Sequence, residues 1–312
     1  MGKIAFVFTG QGAQYVGMGK AIAQEYKSAD QIFEQASEAL GFDIKKMVFE
    51  SDDETLKITE NTQPTILTTS IACLQPLLEK GINPDVVAGL SLGEYSAHVA
   101  AGTISFKDAV ALVKKRGKYM QEAVPIGVGT MAAIMGMENQ DVIDCCKIAS
   151  SEGIIEPANF NCPGQIVVAG EVKAVEKVIE VCKEKGAKRA MLLPVSAPFH
   201  CSLLKPAGEK LATELDKITF GDMKIPVVTN VTAEYILDKS KVKELLVRQV
   251  STSVLWESCI RKMLDEGVDT FIEIGPGKVL SGFIKKVNKE VKTLNVEDID
   301  SLNKTLQELQ IG

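Results

Sequence analysis

Short, almost wholly apolar segments alternate along this chain with longer segments whose apolar residues recur at helical spacing. The first apolar segment, residues 3–8, has the continuous hydrophobicity of a strand buried in a parallel sheet. Helical patterns follow to about residue 80, then a second strand at residues 85–89 and a helix from Ser91. Further strands are predicted in "KIPVVTNVT" and "VDTFIEIGPG", and an amphipathic helix in "SLNKTLQELQ". This alternation predicts an α/β fold.

Residues 127–195 have a different order of segments. A strand in "GVGTMAAIMGM" precedes a helix in "ENQDVIDCCKIASSEG"; two strands, "IIEPANFN" and "GQIVVAGE", then flank a Pro-Gly turn. A helix in "VKAVEKVIEVCKEKG" and a last strand in "AKRAMLLPV" complete the order β-α-β-β-α-β, which is typical of a ferredoxin-like unit. We therefore predict a small ferredoxin-like subdomain at residues 127–195, inserted into a larger α/β subdomain formed by residues 1–126 and 196–312.

Composition narrows the class of protein. The chain of 312 residues can bury a sizeable core, and its 35 Lys and Arg against 41 Asp and Glu give a net charge of -6. This balance argues against nucleic acid as the main ligand. The seven cysteines are irregularly spaced without a CxxC pair, which predicts reduced thiols rather than disulfides or a zinc site. With no signal-peptide pattern and no run near the ~18 apolar residues of a membrane span, we expect a soluble cytoplasmic protein.

The segment Gly89-Leu90-Ser91-Leu92-Gly93 is a GxSxG pentapeptide between a predicted strand and a predicted helix. In a nucleophile elbow, the serine occupies a strained strand-to-helix turn, and the glycines allow close backbone approach. The alternative is a helix N-cap serine flanked by two packing glycines. The strand-turn-helix context favours the elbow, with Ser91 as the nucleophile.

The chain offers two histidines as a base for Ser91. His98 follows in the same helix, where seven residues correspond to a rise of about 10 Å, whereas a hydrogen bond needs roughly 3 Å. His200 lies in the Pro-punctuated loop "PVSAPFHC", between the predicted subdomains, where catalytic groups are common. His200 is therefore the preferred base, and a structural loop histidine is the alternative. Cys201 is a rival nucleophile, but adjacent residues in an extended loop point in opposite directions.

Several motifs together resemble the malonyl-CoA:acyl carrier protein transacylases, the acyltransferase family of bacterial fatty-acid synthesis. They are "FVFTGQGAQYVGMG", "NTQPTIL", "GLSLGEYSAHVAAG", "RGKYMQEAVPIGVGTMAAI", "NFNCPGQIVVAG", "PVSAPFHCSLLKPA" and "EIGPGKVL". The resemblance covers nearly all of residues 3–290. It implies a hydrolase-like α/β core with a ferredoxin-like insert, in agreement with the segment order.

The resemblance also implies roles for matching positions. Ser91 would carry the acyl group and His200 would act as its base. The backbone N–H groups of Gln11 and Leu92 would form the oxyanion hole. Arg116 would bind the free carboxylate of the malonyl group, because a guanidinium binds a carboxylate bidentately. From the local pattern alone, Arg116 would instead belong to a solvated helix face with the neighbouring lysines.

Three weaker assignments follow from the same resemblance. The main-chain carbonyl of Gln249 would orient the histidine in place of an Asp, and a neutral partner can still fix the imidazole tautomer. Gln63 and Asn161 match positions near the active-site cleft of the family.

The chain departs from the family pattern at a few positions. Leu90 stands where a histidine is common, which puts in doubt any polar contact made by that histidine. Thr9 and Ala13 replace the usual residues of "FPGQGSQ", and Ser253 stands where proline is usual. Phe199, before His200, matches the malonyl-type pattern rather than the methylmalonyl-type pattern.

The reaction implied is a ping-pong transfer of the malonyl group from malonyl-CoA to the phosphopantetheine thiol of acyl carrier protein through malonyl-Ser91. No metal or redox cofactor, nucleic acid or membrane partner is expected, and we expect a monomer. Because the carrier protein is acidic, a basic rim is predicted, with Lys188, Arg189, Lys285 and Lys286 as candidates. The rival functions are an esterase-type hydrolase and a carrier-docking module without activity. The position of His200, 112 residues before the C-terminus, differs from the late histidine of esterases.

Overall fold

The computed structural model describes residues 2–195 and 197–310. In this part of the chain there are ten strands: β1 Lys3–Phe8, β2 Val86–Gly89, β3 Gly129–Met135, β4 Ile155–Cys162, β5 Gln165–Glu171, β6 Arg189–Leu192, β7 Val227–Val228, β8 Tyr235–Ile236, β9 Val268–Ile274 and β10 Lys292–Val296. The helices are α1 Lys20–Glu25, α2 Lys27–Leu40, α3 Ile44–Glu50, α4 Asp53–Lys57, α5 Thr59–Glu79, α6 Gly93–Ala100, α7 Phe106–Glu122, α8 Asn139–Ala149, α9 Val172–Glu184, α10 Lys205–Leu215, α11 Val242–Ser251, α12 Trp256–Asp265, α13 Val279–Val287 and α14 Ile299–Glu308. Short 3-10 turns occupy Ser150–Glu152, Ser202–Leu204 and Lys239–Lys241.

The larger sheet has six strands in the order β10-β9-β1-β2-β7-β8. Its strands pair in parallel except β7 with β8, which are antiparallel. The packing of both faces of strand β1 explains why its sequence is continuously hydrophobic. Phe6 and Phe8 pack in a core cluster with helices α5 and α7, whereas Ala5 and Val7 pack in a second cluster with α12 and α13. Both faces of the strand are therefore covered, as expected for a parallel sheet.

The second sheet has four antiparallel strands in the order β4-β5-β3-β6. Helices α8 and α9 pack against it in a third core cluster, which includes Ile134 and Val168 of the sheet and Val178 of α9. The sheet is linked to the rest of the chain at Val254, whose N–H donates to the carbonyl of Ala158 at 2.8 Å and whose carbonyl accepts from Phe160 at 2.9 Å.

The predicted α/β class is confirmed, because a parallel sheet and a separate antiparallel sheet are present. Two details of the prediction are wrong. The strand expected in "KIPVVTNVT" is only the two residues of β7. It ends because the main chain turns at Thr229, whose carbonyl accepts from Ala233 and whose hydroxyl lies 2.7 Å from that of Thr232. Strand β10 was not predicted, because its sequence "KTLNV" is short and mixes polar with apolar residues.

The order of the strands brings three chain segments to one edge. Strands β1, β2 and β7 are neighbours and point the same way, so their carboxyl ends lie side by side. Gln11, Ser91 and Asn230 follow these ends directly. In open α/β sheets, ligands bind outside the carboxyl ends of the strands.

Candidate active site

Ser91 occupies a sharp turn between β2 and α6, with a backbone φ of 53°. Such a left-handed conformation is uncommon for a non-glycine residue and costs about 1–3 kcal/mol. The flanking glycines are required by close packing. A Cβ at Gly89 would lie 1.9 Å from the carbonyl carbon of Gly93, and a Cβ at Gly93 would lie 2.1 Å from the carbonyl oxygen of Phe8. The geometry is that of a nucleophile elbow rather than a simple helix cap.

His200 meets Ser91 across the turn. Its Nε2 lies 2.6 Å from Ser91 Oγ, and its Nδ1 lies 2.8 Å from the main-chain carbonyl oxygen of Gln249. A carbonyl oxygen can only accept, so Nδ1 carries the proton and Nε2 is free to accept the serine proton. His200 itself has a φ of 61°, so both partners are held in left-handed backbone.

The protonation state of His200 suits a base. Burial, reinforced by the positive charge of Arg116, lowers the pKa of His200 to about 3. The imidazole is therefore neutral over the physiological pH range. Its orientation depends on the Gln249 carbonyl, which is less able than a carboxylate to stabilise an imidazolium.

Arg116 is buried, with 1% of its surface exposed, although the local pattern alone favoured a solvated helix face. That expectation is wrong because α7 packs tightly on α5 there. A Cβ at Gly117 would lie 2.5 Å from the carbonyl oxygen of Thr59. Neighbouring Lys114 and Lys118, by contrast, are partly or fully exposed.

The guanidinium of Arg116 is held by neutral groups. Nη1 donates to Gln63 Oε1 at 2.9 Å, and Nη2 donates to Gln249 Oε1 at 2.9 Å and to Ser91 Oγ at 3.2 Å. Its carbon lies 5.1 Å from the centroid of the Tyr95 ring. Burial lowers the pKa of Arg116, but a guanidinium remains charged in proteins. A buried cation thus faces the Ser91 hydroxyl with no carboxylate hydrogen-bonded to it among the described residues.

The structure locates the other predicted site residues as follows. Gln63 is fully buried against Arg116, as above. Gln11 lies in the loop after β1, and its Nε2 donates to Thr59 Oγ1 at 3.4 Å. The same loop passes close to the elbow, because a Cβ at Gly10 would lie 2.6 Å from the carbonyl oxygen of Leu90. Leu92 is the N-cap residue immediately before α6. Asn161 lies in β4 and is not hydrogen-bonded to Ser91, His200 or Arg116 in the described ranges.

The two rejected candidates are both buried. His98 is fully buried, its pKa is lowered by burial to about 3, and the nearest carboxylate oxygen, Glu94 Oε1, is 3.9 Å from its Nε2. The Cys201 thiol donates to the carbonyl of Pro198 at 3.1 Å, and burial raises its pKa to about 12. This thiol is therefore not activated as a nucleophile.

Sequence reasoning missed two residues that support the elbow, Asn230 and Glu94. Asn230 Oδ1 accepts from the N–H of Ser91 at 2.7 Å, and its Nδ2 donates to the carbonyl of Gly89 at 2.8 Å. Glu94 is fully buried in the first turn of α6, and burial raises its pKa to about 7. A polar residue at the carboxyl end of a parallel strand, and a carboxylate within a helix of small residues, are the signals that could have identified them.

Lys188, Arg189, Lys285 and Lys286, the candidates for a basic rim, are all exposed. Within the described ranges, no three His, Cys, Asp or Glu side chains are grouped so that they could hold a metal ion. No helix in that part of the chain has the length and apolarity to cross a membrane.

Comparison with known proteins identifies the family. The model of the acyl transferase domain family matches residues 5–307. The malonyl CoA-acyl carrier protein transacylase of Bacillus subtilis (strain 168) is 50% identical over 311 residues, covering 99% of this chain and 98% of its own length. A crystal structure of a malonyl CoA-acyl carrier protein transacylase from Clostridium perfringens superposes with a TM-score of 0.96 at 51% identity, covering 99% of this chain and 97% of its own. A malonyl-transacylase in complex with a type II PKS acyl-carrier protein superposes with a TM-score of 0.95 at 43% identity, covering 98% and 99% of the two chains.

Proposed function

This chain belongs to the malonyl CoA-acyl carrier protein transacylase family of acyltransferases, and we propose that it transfers a malonyl group from malonyl-CoA to acyl carrier protein through a malonyl-Ser91 intermediate. The observation that carries this proposal is the buried Arg116, whose Nη2 lies 3.2 Å from Ser91 Oγ. An acyl group attached to that oxygen and ending in a carboxylate would meet the guanidinium directly. The cation thus favours a dicarboxylic acyl group over acetyl.

In the first half-reaction, Nε2 of His200 takes the proton of Ser91 Oγ as the oxygen attacks the thioester carbonyl. The tetrahedral intermediate collapses, the C–S bond breaks, and His200 passes the proton to the departing sulfur, so that CoA leaves as a thiol and the imidazole is neutral again. Ser91 then carries the malonyl group as an ester. The 2.6 Å contact between Oγ and Nε2 supports this transfer without a large movement.

The oxyanion of that intermediate needs donors. We assign them to the main-chain N–H groups of Gln11 and Leu92. The position of Leu92 at the N-cap of α6 supports this, because main-chain N–H groups at the beginning of a helix have no intrahelical acceptor. The loop of Gln11 adjoins the elbow at Gly10, which brings a second main-chain segment to the same side. Gln63 and Gln249 hold Arg116, and we assign to Asn161 a place in the wall of the cleft.

In the second half-reaction, the phosphopantetheine thiol of acyl carrier protein attacks malonyl-Ser91. His200 takes the thiol proton and returns it to Ser91 Oγ as the ester bond breaks. The solved complex of a related transacylase with an acyl-carrier protein supports this partner. The reaction needs no metal or redox cofactor. It would supply fatty-acid synthesis in the cytoplasm, with the chain acting as a monomer and the exposed basic residues receiving the acidic carrier.

The proposal also includes a division of the chain into two subdomains. We assign residues 1–126 and 196–312 to a hydrolase-like subdomain and residues 127–195 to a ferredoxin-like one. The separate antiparallel sheet, built from strands within residues 129–192, supports this division. His200 then follows the return of the chain to the larger subdomain.

An esterase-type hydrolase shares the serine, the histidine and the elbow. What favours transfer of an acidic acyl group is again the buried guanidinium beside the nucleophile, which a neutral ester would leave without a counter-charge. A docking module without activity would have no need of a 2.6 Å contact between a serine hydroxyl and a neutral imidazole.

Intact-mass measurement tests the proposal. After incubation with malonyl-CoA, the protein should gain one malonyl group, and peptide mapping should locate it on Ser91. Adding holo acyl carrier protein should return the enzyme to its original mass while the carrier gains the same group. The Ser91→Ala variant should remain unlabelled. A label on Cys201, or release of free malonate instead of transfer, would contradict the proposal.

A further inference from the structure

Glu94 is a buried carboxylate that no step of the proposed reaction uses. Its Oε2 alone accepts two hydrogen bonds, from the main-chain N–H of Asn230 at 3.0 Å and from Gln249 Nε2 at 2.7 Å. Its Oε1 has no hydrogen-bond partner in the described ranges and faces His98. One oxygen atom therefore joins two segments that are distant in sequence and that both reach the active site.

The contact with Glu94 is the shortest of three that set which way the Gln249 carboxamide faces. Nε2 donates to Glu94 Oε2, to the main-chain carbonyl of Ser91 at 3.0 Å and to Asn230 Oδ1 at 3.3 Å, so Oε1 points to the other side and accepts from Arg116. If the amide were turned by half a rotation, its NH₂ group would face the N–H groups of the guanidinium, and its oxygen would face three acceptors. An acceptor at the position of Glu94 Oε2 thus acts together with Ser91 and Asn230 to keep the amide oxygen on Arg116.

The contact on the other side of Glu94 supports the nucleophile. The Asn230 N–H is held by Oε2, and the Asn230 side chain bridges the Ser91 N–H and the Gly89 carbonyl. Those two bonds brace the left-handed backbone of Ser91. Glu94 therefore contacts both Asn230, which supports Ser91, and Gln249, which supports Arg116.

We propose that Glu94 is a positioning residue that fixes Ser91 Oγ and Arg116 relative to each other, through Asn230 on one side and the Gln249 carboxamide on the other. The inference rests on the proposed function, because it concerns the span between the acylated oxygen and the group that binds the free carboxylate. In a malonyl group, a single methylene separates the ester carbonyl from the carboxylate. A span held to that length selects this acyl group over acetyl and over longer diacids.

The role is one of geometry rather than charge. Burial raises the pKa of Glu94 to about 7, so that at neutral pH a large share of the carboxyl groups carries a proton. A protonated Oε1 leaves both hydrogen bonds to Oε2 intact. The neutral His98 then offers Nε2 as an acceptor on the side that Oε1 faces.

Two substitutions at position 94 test the proposal. Glu94→Leu removes the acceptor, and kcat/KM for malonyl-CoA should fall on the order of 10²-fold, the loss expected for misplaced reacting groups. Acetyl transfer should fall less, so the malonyl-to-acetyl ratio should drop. Glu94→Gln keeps an oxygen at the Oε2 position and can donate to His98. It should restore the ratio to within about threefold of wild type, since the retained oxygen preserves both contacts.

Glu273 provides the matched control. It is also fully buried and also accepts two main-chain N–H groups, those of Leu280 and Ser281 at the start of α13, but among the described residues it has no hydrogen bond to Ser91, Gln249 or Arg116. Glu273→Leu should lower the melting temperature while leaving the malonyl-to-acetyl ratio unchanged.

A wild-type ratio in Glu94→Leu, or a Glu94→Gln enzyme as impaired as Glu94→Leu, would overturn the proposal. If Glu94→Leu does not fold, Gln249→Met takes its place. This variant keeps the main-chain carbonyl that orients His200 and loses only the carboxamide, so a wild-type ratio there would equally overturn the proposal. Arg116→Ala separates the two hypotheses. If it leaves the ratio unchanged, the proposed function itself fails; if it lowers the ratio and the substitutions above do not, only the role of Glu94 fails.

Discussion

Nδ1 of His200 lies 2.8 Å from the main-chain carbonyl oxygen of Gln249, so a neutral group orients the imidazole that contacts Ser91 Oγ. A carbonyl fixes the tautomer as well as a carboxylate does, but it contributes no negative charge to stabilise the protonated ring. Arg116 adds a positive charge nearby. Burial and this charge act in the same direction on His200, and both favour the neutral base.

The first prediction concerns the pH dependence of acylation. The pKa of His200 is lowered to about 3, so the base form is present throughout the range above pH 4. Between pH 7 and pH 5, the single-turnover acylation rate should change by less than about twofold, whereas a histidine with the ordinary pKa of about 6.5 would lose more than about tenfold of its base form. Stopped-flow measurement of CoA release gives this profile.

The Arg116→Ala enzyme is the control for that profile. Because the guanidinium is the second cause of the lowered pKa, its removal raises the pKa of His200, and the acid limb should move toward neutral pH. A wild-type rate that is halved near pH 6.5 would mean that His200 is not held neutral by its surroundings.

The second prediction separates the two histidines. His200→Ala should reduce the acylation rate by on the order of 10² or more, the usual loss for a general base. His98→Ala leaves a cavity in a fully buried site, so the melting temperature should fall, but the folded enzyme should acylate at nearly the wild-type rate. Measurement of both properties for each variant distinguishes catalysis from stability. A larger rate loss in His98→Ala than in His200→Ala would show that the assignment of the base to His200 is wrong.

The third prediction concerns Arg116. Loss of a charge-assisted contact from a buried site should cost roughly 2–4 kcal/mol of transition-state binding. This corresponds to a 30- to 1000-fold decrease in kcat/KM for malonyl-CoA, to order of magnitude. Acetyl transfer should be unchanged or improved, because an acetyl group leaves the guanidinium unpaired.

Lys118 offers the matched control for that variant, because it lies on the same helix but is exposed, with Glu122 3.9 Å away. Lys118→Ala should leave the malonyl-to-acetyl ratio of kcat/KM at the wild-type value. An equal, weak response of both substrates in Arg116→Ala would remove Arg116 from the site.

The sequence predicts the local features of this fold well, because they depend on nearby residues. The apolar run of β1 and the strand before Ser91 are found where the pattern indicates them. The support of the site depends on distant residues. Glu94 meets Asn230 across 136 positions and Gln249 across 155, and no spacing in the sequence signals these contacts.

The burial of Arg116 is a second feature that the local sequence pattern does not predict. Its neighbours are lysines, and the local pattern is that of a solvated helix. Burial results from packing between α5 and α7, where Gly117 allows the two backbones to approach. Only a family resemblance, and not the periodicity, could assign Arg116 to the site before the structure was available.

The fourth prediction compares two glycines whose surroundings differ. At Gly93, a Cβ would lie 2.1 Å from the carbonyl oxygen of Phe8, and that atom belongs to a strand in the centre of the sheet. Neither backbone can move without disturbing Ser91, so Gly93→Ala should cost about 3 kcal/mol or more of unfolding free energy, at the upper end for overpacked sites. Acylation by the folded fraction should fall as well, because the elbow must shift.

At Gly282, in the exposed face of α13, a Cβ would meet nothing within 4 Å, and the backbone is helical. Gly282→Ala should therefore stabilise the protein by about 0.5–1 kcal/mol, the gain expected in a helix interior, and leave acylation unchanged. Urea unfolding and single-turnover acylation of both variants check the pair. A Gly93→Ala protein as stable and active as wild type would show that the elbow does not require the close approach of β1 to α6 from which its geometry is argued.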